Sequence, residues 1–356
     1  MRILITGATG NVGTALIREL SRNGGNELIG VARRKPPEIE PYTSARWVPL
    51  DIGTAEAPDR LAAACAGADA VIHLAWLIQP SHDRETLRRV NQGGTRAVVT
   101  AVQRAGVPHL VHMSSIGAYA PAPRGTWVDE SWPTSGVSSS SYSVDKAACE
   151  RIVKGATDIV TVLRPTLILQ PDAASEVARY FLGPLVPTSL LHPKLFRFAP
   201  WPRELRLQFV HAADVAVALS TVVAQRPAGA FNLATDQVID RTAARQLFGG
   251  LAPPLPMRLM RAAATTSWRL RLQPVDGGWV DLAGSVPLLR SERARNELGW
   301  APSHAGGTTL VEFLHALRQR RGYPGPLLHP RRLSTGLSAA ASDSKRRARG
   351  LISKSG

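Results

Sequence analysis

Short apolar runs alternate with amphipathic stretches through the first half of the chain. Residues 2–6, 27–32, 47–50, 70–75, 110–115 and 159–163 have the length of strands. The run at 70–75 is apolar at nearly every position, as a strand covered on both faces should be. Between the first two runs, Ala15, Leu16, Ile17 and Leu20 recur at helical spacing, and further helices are expected at 61–66, 91–103 and 142–153. This alternation spells an α/β fold, a doubly wound parallel sheet with right-handed crossovers. Residues 36–46 are proline-rich and extended, a loop.

Beyond residue 170 the rhythm changes. Helices are expected at 174–182, 214–223, 257–272, 291–298 and 309–320, and short strands at 205–210, 230–233 and 237–239, with a proline-rich apolar stretch at 183–202. The pattern divides the chain into residues 1–170, to which 205–235 return, and a smaller α+β substrate lobe mainly within 171–330. From residue 331 to 356 the sequence is Ser, Ala, Gly and basic residues without periodicity, which predicts a disordered basic tail.

Composition narrows the field. A chain of 356 residues, 44% hydrophobic and 20% charged, can bury a full core and exceeds one minimal domain. The net charge of +16 raises nucleic acid or anionic membrane as partners, but seven basic residues against one acid lie after Pro330, leaving +10 on the rest. There the arginines are scattered, with no zinc-finger spacing, basic helix or RNP-like aromatic cluster, so no specific nucleic-acid partner is expected. The segment 257–272 carries Arg258, Arg261, Arg269 and Arg271 beside Met260, Trp268 and Leu270. An ordinary lobe helix is preferred there to a membrane-surface helix. Cys65 and Cys149 sit among alanines in helical segments, as small buried thiols of a reducing compartment. No signal peptide precedes the first strand and no apolar run reaches eighteen residues, so no spanning helix and a cytoplasmic location are expected.

The candidate chemistry begins at MRILITGATGNVG. Gly7, Gly10 and Gly13 fall three apart where the first strand turns into the first helix. Such a turn lets backbone approach a pyrophosphate, and the helix N-terminus offers free N–H groups and the positive end of its dipole. The second strand closes on Ala32, Arg33 and Arg34, without the carboxylate that would bind a ribose 2′-OH. Arginine there suits a 2′-phosphate, which favours NADP over NAD, the alternative being a solvated arginine pair. Tyr142 and Lys146 lie four apart on one helix face. An ammonium beside a phenol can lower its pKa from about 10 toward neutrality, making Tyr142 a proton donor and acceptor. Lys146 can also hold a nicotinamide ribose hydroxyl, and Ser115, at the carboxyl end of a strand, can orient the reacting oxygen. His73, at a strand end without partner spacing, is read as a packed residue, and no metal site is expected.

Taken together, TGATGNVG at 6–13, Asp51-Ile52, His73-Leu74-Ala75, Val90-Asn91 with Gly94-Thr95, Ser114-Ser115, Tyr142 with Lys146, Arg164-Pro165, Val210-His211, Phe231-Asn232-Leu233 and Leu298-Gly299-Trp300 resemble the extended short-chain dehydrogenase/reductases, the NAD-dependent epimerase/dehydratase group. The resemblance covers roughly residues 1–320. It implies a Rossmann fold in which Gly7, Gly10, Asn11, Val12 and Gly13 line the pyrophosphate, Arg33 the adenosine ribose phosphate, and Asp51 with Ile52 the adenine edge. It implies further that Leu74 and Ala75 flank the nicotinamide ribose, that Asn91 supports the site, that Ser115, Tyr142 and Lys146 are the catalytic set, and that a homodimer is possible.

Departures from the group's pattern bear on substrate. Ser115 is followed by Ile116-Gly117, where dehydratases of the group carry an Asp-Glu pair and decarboxylating relatives a glutamate. Leu167 stands where nucleotide-sugar epimerases usually place an asparagine, and Gln170 where a glycine is usual. Trp76, Ile116, Trp132 and Leu167 are expected to line an apolar substrate pocket, with Leu77, Ile78, Trp127 and Trp201 as further candidates. The reaction expected is hydride transfer between NADP(H) and a carbonyl or secondary alcohol of a fairly apolar small-molecule substrate. An NAD-dependent sugar or nucleotide-sugar epimerase is the alternative, and a non-catalytic dinucleotide-binding regulator a third reading.

Overall fold

Strands with no polar face need cover on both sides, and the computed structural model gives it to them. It describes residues 1–330 apart from 23, 183–197 and 199; the expected tail and most of the proline-rich stretch lie outside the described residues. The strands are β1 (Arg2–Thr6), β2 (Glu27–Ala32), β3 (Ala45–Pro49), β4 (Ala70–His73), β5 (His109–Met113), β6 (Ile159–Pro165) and β7 (Gly229–Leu233). They form one seven-stranded sheet in the order β7-β6-β5-β4-β1-β2-β3, every neighbouring pair parallel. The chain order reverses on either side of β1, which sets the topological switch point beside the glycine turn.

The longer helices are α1 (Asn11–Arg22), α2 (Ala57–Cys65), α3 (Gly94–Ala105), α4 (Ser141–Val153), α5 (Ala212–Gln225), α6 (Arg241–Phe248), α7 (Met257–Arg269), α8 (Gly277–Ser285), α9 (Glu292–Leu298) and α10 (Gly306–Arg318). Side-chain alternation along β1 feeds two cores. Ile3 and Ile5 meet Leu16, Ile17 and Leu20 of α1 and Val215, Leu219 and Val222 of α5, whereas Leu4 meets Leu61 of α2 and Val98 and Val102 of α3. The late elements α5 and β7 thus complete the sheet that the first 165 residues begin.

Several boundaries differ from the sequence pattern, each for a local reason. The helix expected from residue 91 starts earlier, as a turn of helix at Arg84–Arg88 that passes through a π-helical segment, Arg89–Gly93, into α3. The expected strand 205–210 forms a ladder only at Phe209–His211, against Leu167–Leu169, and its Leu207 makes a single bridge to Ile239 of 237–239, no further strand lying beside either among the described residues. Residues 174–182 form a helical turn, Ala174–Val177, followed by a π-helical one, Ala178–Leu182. After α10 the chain turns back over the first βα unit: Leu328 is fully buried, Tyr323 packs edge-on to Tyr42 at 6.0 Å, and Arg179 Nη1 donates to the His329 carbonyl at 2.7 Å.

Candidate active site

Gly7 has φ +70°, and a Cβ there would sit 2.7 Å from Ala75 N and 2.8 Å from the Leu74 carbonyl carbon. At Gly13 a Cβ would come within 2.5 Å of Gly7 O and 2.7 Å of Ala8 Cα. Both glycines are therefore demanded by the protein's own packing, the first pressing the turn onto the end of β4, the second seating α1 on the turn. Gly10 is different: a Cβ would meet Gly7 O at 3.3 Å and only Leu327 Cδ1, at 3.9 Å, beyond it. The side of the turn that packing leaves open is the side a phosphate group would approach, with the N-terminus of α1 behind it, so the residues present fit a dinucleotide. Asn11 is held in place, its Nδ2 donating to the Ile168 carbonyl at 3.2 Å and its Oδ1 accepting from Gln170 Nε2 at 2.7 Å.

The other expected cofactor positions gather along the same carboxyl edge. Leu74 and Ala75 lie against Gly7; Asp51 Oδ1 accepts from Gly53 N at 2.9 Å, and Ile52 packs on Gly94, where a Cβ would come within 2.6 Å of Ile52 Cδ1. Asn91, 2% exposed, grips the backbone of Leu77 from both sides, Oδ1 accepting from its N–H at 2.8 Å and Nδ2 donating to its carbonyl at 3.2 Å. Arg33 and Arg34 follow β2, exposed and without an ion pair among the described residues. His73 is packed, bracketed by Thr6 and Thr95 at 2.8 and 3.0 Å, and burial takes its pKa down to about 3.

Ser115, Tyr142 and Lys146 converge. Ser115 follows β5 by two residues and accepts from Gly117 N at 3.0 Å, and the Tyr142 ring lies over the same Gly117. Gly117 is what lets the phenol lie there, since a Cβ would be 2.8 Å from Tyr142 Cε1. Ser140 caps α4 by accepting from Ser143 N at 3.4 Å, and Ser143 Oγ takes the Val137 N–H at 2.6 Å and donates to the Gly117 carbonyl, which locks α4 to the turn after β5.

The electrostatics correct one expectation. The Tyr142 phenol is not lowered toward neutrality; burial pushes it up to about 12, against a smaller lowering by the nearby Ser115. Lys146, 4% exposed, turns its Nζ to the Met113 carbonyl at 2.9 Å and under the face of Trp76, 3.7 Å from the ring centroid. Burial in turn lowers its pKa to about 8. Desolvation outweighs the attraction that helical spacing alone suggests.

Aromatic rings wall the phenol. Trp76 stands edge-on at 5.8 Å, Trp279 of α8 lies tilted at 5.0 Å, and Phe181 meets Trp279 edge-on at 5.1 Å. A narrow crevice above Tyr142 is lined by Leu77, Ile78, Pro80, Asn91, Asp145 and Trp279, among others. Five residues expected in the pocket do not line it; of these, Trp127 and Trp201 lie on two-residue strands, paired with Leu288 and Pro254. Trp132 and Ile116 pack with Tyr119, Val128, Ala234 and Leu289, the Trp132 indole donating to the Ala120 carbonyl at 3.2 Å, and Leu167 lies 44% exposed on its short strand beside Phe209.

A sequence model described as the NAD dependent epimerase/dehydratase family matches residues 3–234. The chain belongs to this family. It is 30% identical over 220 residues to the ceramide reductase of Caulobacter vibrioides, covering 61% of this chain and 59% of that one. It is also 30% identical over 178 residues to the sterol demethylase protein B of Methylococcus capsulatus, covering 48% and 52%. The chain thus spans between half and three-fifths of the length of these relatives. The UDP-glucuronic acid 4-epimerase of Bacillus cereus, solved in complex with NAD, shares the fold, with a TM-score of 0.63 at 16% identity over 90% of this chain and 99% of that one.

Sequence reasoning missed Trp279, Gly117 and the clasp that closes the crevice. Trp279 reaches Tyr142 because Gly278 lets the start of α8 press on the backbone of Ser139, where a Cβ would be 2.3 Å from its carbonyl oxygen. The Gly-Gly-Trp run at 277–279 was the available signal. The clasp joins Arg84 to Asp276 in an ion pair and stacks His82 on Trp268 at 4.2 Å, tying the loop after β4 to α7 and α8.

Proposed function

We propose that the chain is an oxidoreductase moving hydride between NADP(H) and a carbonyl or secondary alcohol of a fairly apolar substrate, with Tyr142 as acid/base. The observation that carries this reading is the aromatic wall beside the phenol: Trp76 and Trp279 stand against the Tyr142 ring, and Phe181 backs Trp279. Such a wall offers apolar contact to a hydrocarbon neighbour. The names of the two relatives, a ceramide reductase and a sterol demethylase protein, lend it support.

In this reading the glycine turn and the N-terminus of α1 hold the pyrophosphate and Arg33 the 2′-phosphate, while Leu74, Ala75 and Lys146 border the nicotinamide ribose. A nicotinamide dinucleotide, when bound, supplies or removes the hydride. A phenol held at about 12 is protonated at neutral pH and therefore starts as a donor. In the reductive direction hydride adds to the carbonyl carbon, and the Tyr142 Oη–H proton goes to the carbonyl oxygen, with Ser115 orienting that oxygen. Lys146 lies one helical turn on, beneath the same Trp76 that flanks the phenol.

The epimerase reading keeps a claim through the fold it shares with the Bacillus cereus epimerase and through the same Tyr and Lys. One experiment separates them. The nucleotide released on denaturing purified protein is identified, and hydrophobic ketones are screened with NADPH against UDP- and dTDP-sugars. Oxidation of NADPH by the ketones, reduced about 10²- to 10⁴-fold in Tyr142→Phe with dinucleotide binding retained, is the expected result. Tightly retained NAD with turnover of nucleotide sugars alone overturns the proposal.

A further inference from the structure

Helix α7 buries none of its residues, whereas each of the other labelled helices buries at least one. One side of α7 is partly covered. Met257 lies near Gly284 of α8, Thr265 near Gly277, and Trp268 stacks on His82. The opposite side carries Leu259, Ala263, Thr266 and Leu270 at the spacing i, i+4, i+7, i+11, which sets them in one stripe. That stripe faces outward: Leu259 is 55% exposed, Leu270 64%, and Leu272, just beyond the helix, 54%.

Cations border the stripe. Arg258 and Arg269 run beside it and Arg271 follows, all exposed and none in an ion pair among the described residues. Arg261, by contrast, turns inward to Asp281 at 2.7 Å. Residues 257–272 contain no Asp or Glu. A line of leucines edged by unpaired guanidiniums is poorly matched to a second copy of a chain whose net charge is +16, because like faces would meet. It is matched to a surface with apolar depth beneath anionic head groups.

We propose that α7, with Leu270 and Leu272, is a docking face for an anionic lipid surface, from which the apolar substrate enters the crevice. The docking stands on the helix itself; the substrate's route rests on the function proposed above. The route is short: Trp268 touches the loop whose Leu77, Ile78 and Pro80 line the crevice, and Trp279 of the adjoining α8 lies on Tyr142.

The test sediments the full chain with phosphatidylcholine vesicles, with and without about a third of phosphatidylglycerol, at low and high salt. The expected result is binding to the anionic vesicles that weakens with salt. The double substitution Leu259→Asp with Leu270→Asp should lower it about tenfold or more, and Arg258→Gln with Arg269→Gln by roughly threefold or more. Both doubles change exposed side chains, so the thermal midpoint should stay in place; the basic tail is the same in all of them. Vesicle binding unchanged by the leucine pair overturns the proposal, as does absence of binding by the unaltered chain. So does conversion of an oligomer to a monomer by the leucine pair with vesicle partition intact. Turnover of a short water-soluble ketone should be the same in the leucine variant. If no ketone is turned over while vesicle binding follows the leucines, the docking face stands and the reductase reading fails.

Discussion

The β1–α1 turn and the α7–α8 pair are built by opposite means. At the turn the tightest approaches are backbone against backbone: Gly7 against Ala75, Gly13 against Ala8. Around the α7–α8 pair, apart from Gly278 against the Ser139 backbone, the contacts are side chains reaching across, with Arg84 on Asp276, His82 on Trp268 and Trp279 on Tyr142. The first arrangement leaves no slack, because a backbone cannot rotate out of a collision. The second can adjust by rotamer. A phosphate cradle needs fixed N–H groups, and a wall meant for an apolar molecule can tolerate movement, so the division of rigidity follows what each region would hold.

If the sheet half is the rigid one, its buried ion pair should be the costliest to disturb. Arg164 of β6 and Glu150 of α4 are 9% and 8% exposed and joined at 2.8 Å, and the same carboxylate takes the Ser114 hydroxyl. Arg164 continues to Tyr119, which donates to Asn232 of β7 at 2.6 Å, so one network ties β5, α4, β6 and β7. Glu150→Ala strands the guanidinium and should cost about 3–5 kcal/mol of unfolding free energy in denaturant titration. Its counterpart outside the sheet, Arg261→Ala, breaks the pair with Asp281 at an arginine side chain 53% exposed, and should cost less than about 1 kcal/mol. Equal losses would erase the contrast.

The same contrast explains what the sequence made legible. Strands covered on both faces have one apolar pattern and one place to go, so all six expected ones before residue 165 are found, and β7 with them. Gly7 and Gly13 stood out by spacing, although packing rather than a ligand is what demands them; only Gly10 is left over for a phosphate. Helical spacing put Tyr142 beside Lys146 but could not weigh burial, which reverses the direction of the phenol's shift. Trp132 was as apolar as Trp279 and lay nearer in sequence to Ser115, yet its indole is spent on the Ala120 carbonyl. The lobe's contacts span nearly two hundred residues of sequence, as Arg84 to Asp276 does, and no local pattern encodes them.

A smaller effect is expected on the helical turn Ala174–Val177. Glu176, 8% exposed, lies near Tyr180 and Arg179; burial raises its pKa to about 7. A carboxyl raised in the folded state contributes fully below its ordinary range and loses that contribution as pH rises through about 7. The thermal midpoint should therefore fall between about pH 5 and about pH 8, and Glu176→Gln, neutral throughout, should flatten part of that fall. Lys146, lowered to about 8, acts in the opposite sense, losing stability as pH falls, and is common to both proteins, so the difference between the two curves isolates the carboxyl. Parallel curves would show that Glu176 stays ionised in the fold.

The least costly change in stability should be among the most visible in turnover. Asp276 caps α8 by accepting from Gly278 N at 3.0 Å and Trp279 N at 3.3 Å, and Arg84 grips the same carboxylate from the loop after β4. The arginine side chain is 34% exposed, so Arg84→Ala should cost below about 1 kcal/mol. Its other effect is on position. With the cap intact but the clasp gone, α8 keeps its start while the loop carrying Leu77 and Ile78 is no longer tied to it, and the crevice loosens over Tyr142. An apolar substrate held by that wall should then bind more weakly, raising KM several-fold, while kcat changes little because Ser115, Tyr142 and Lys146 are untouched. A fall in kcat at constant KM would mean instead that the clasp positions the phenol, and would move the rigid boundary of the site from the sheet edge out to the lobe.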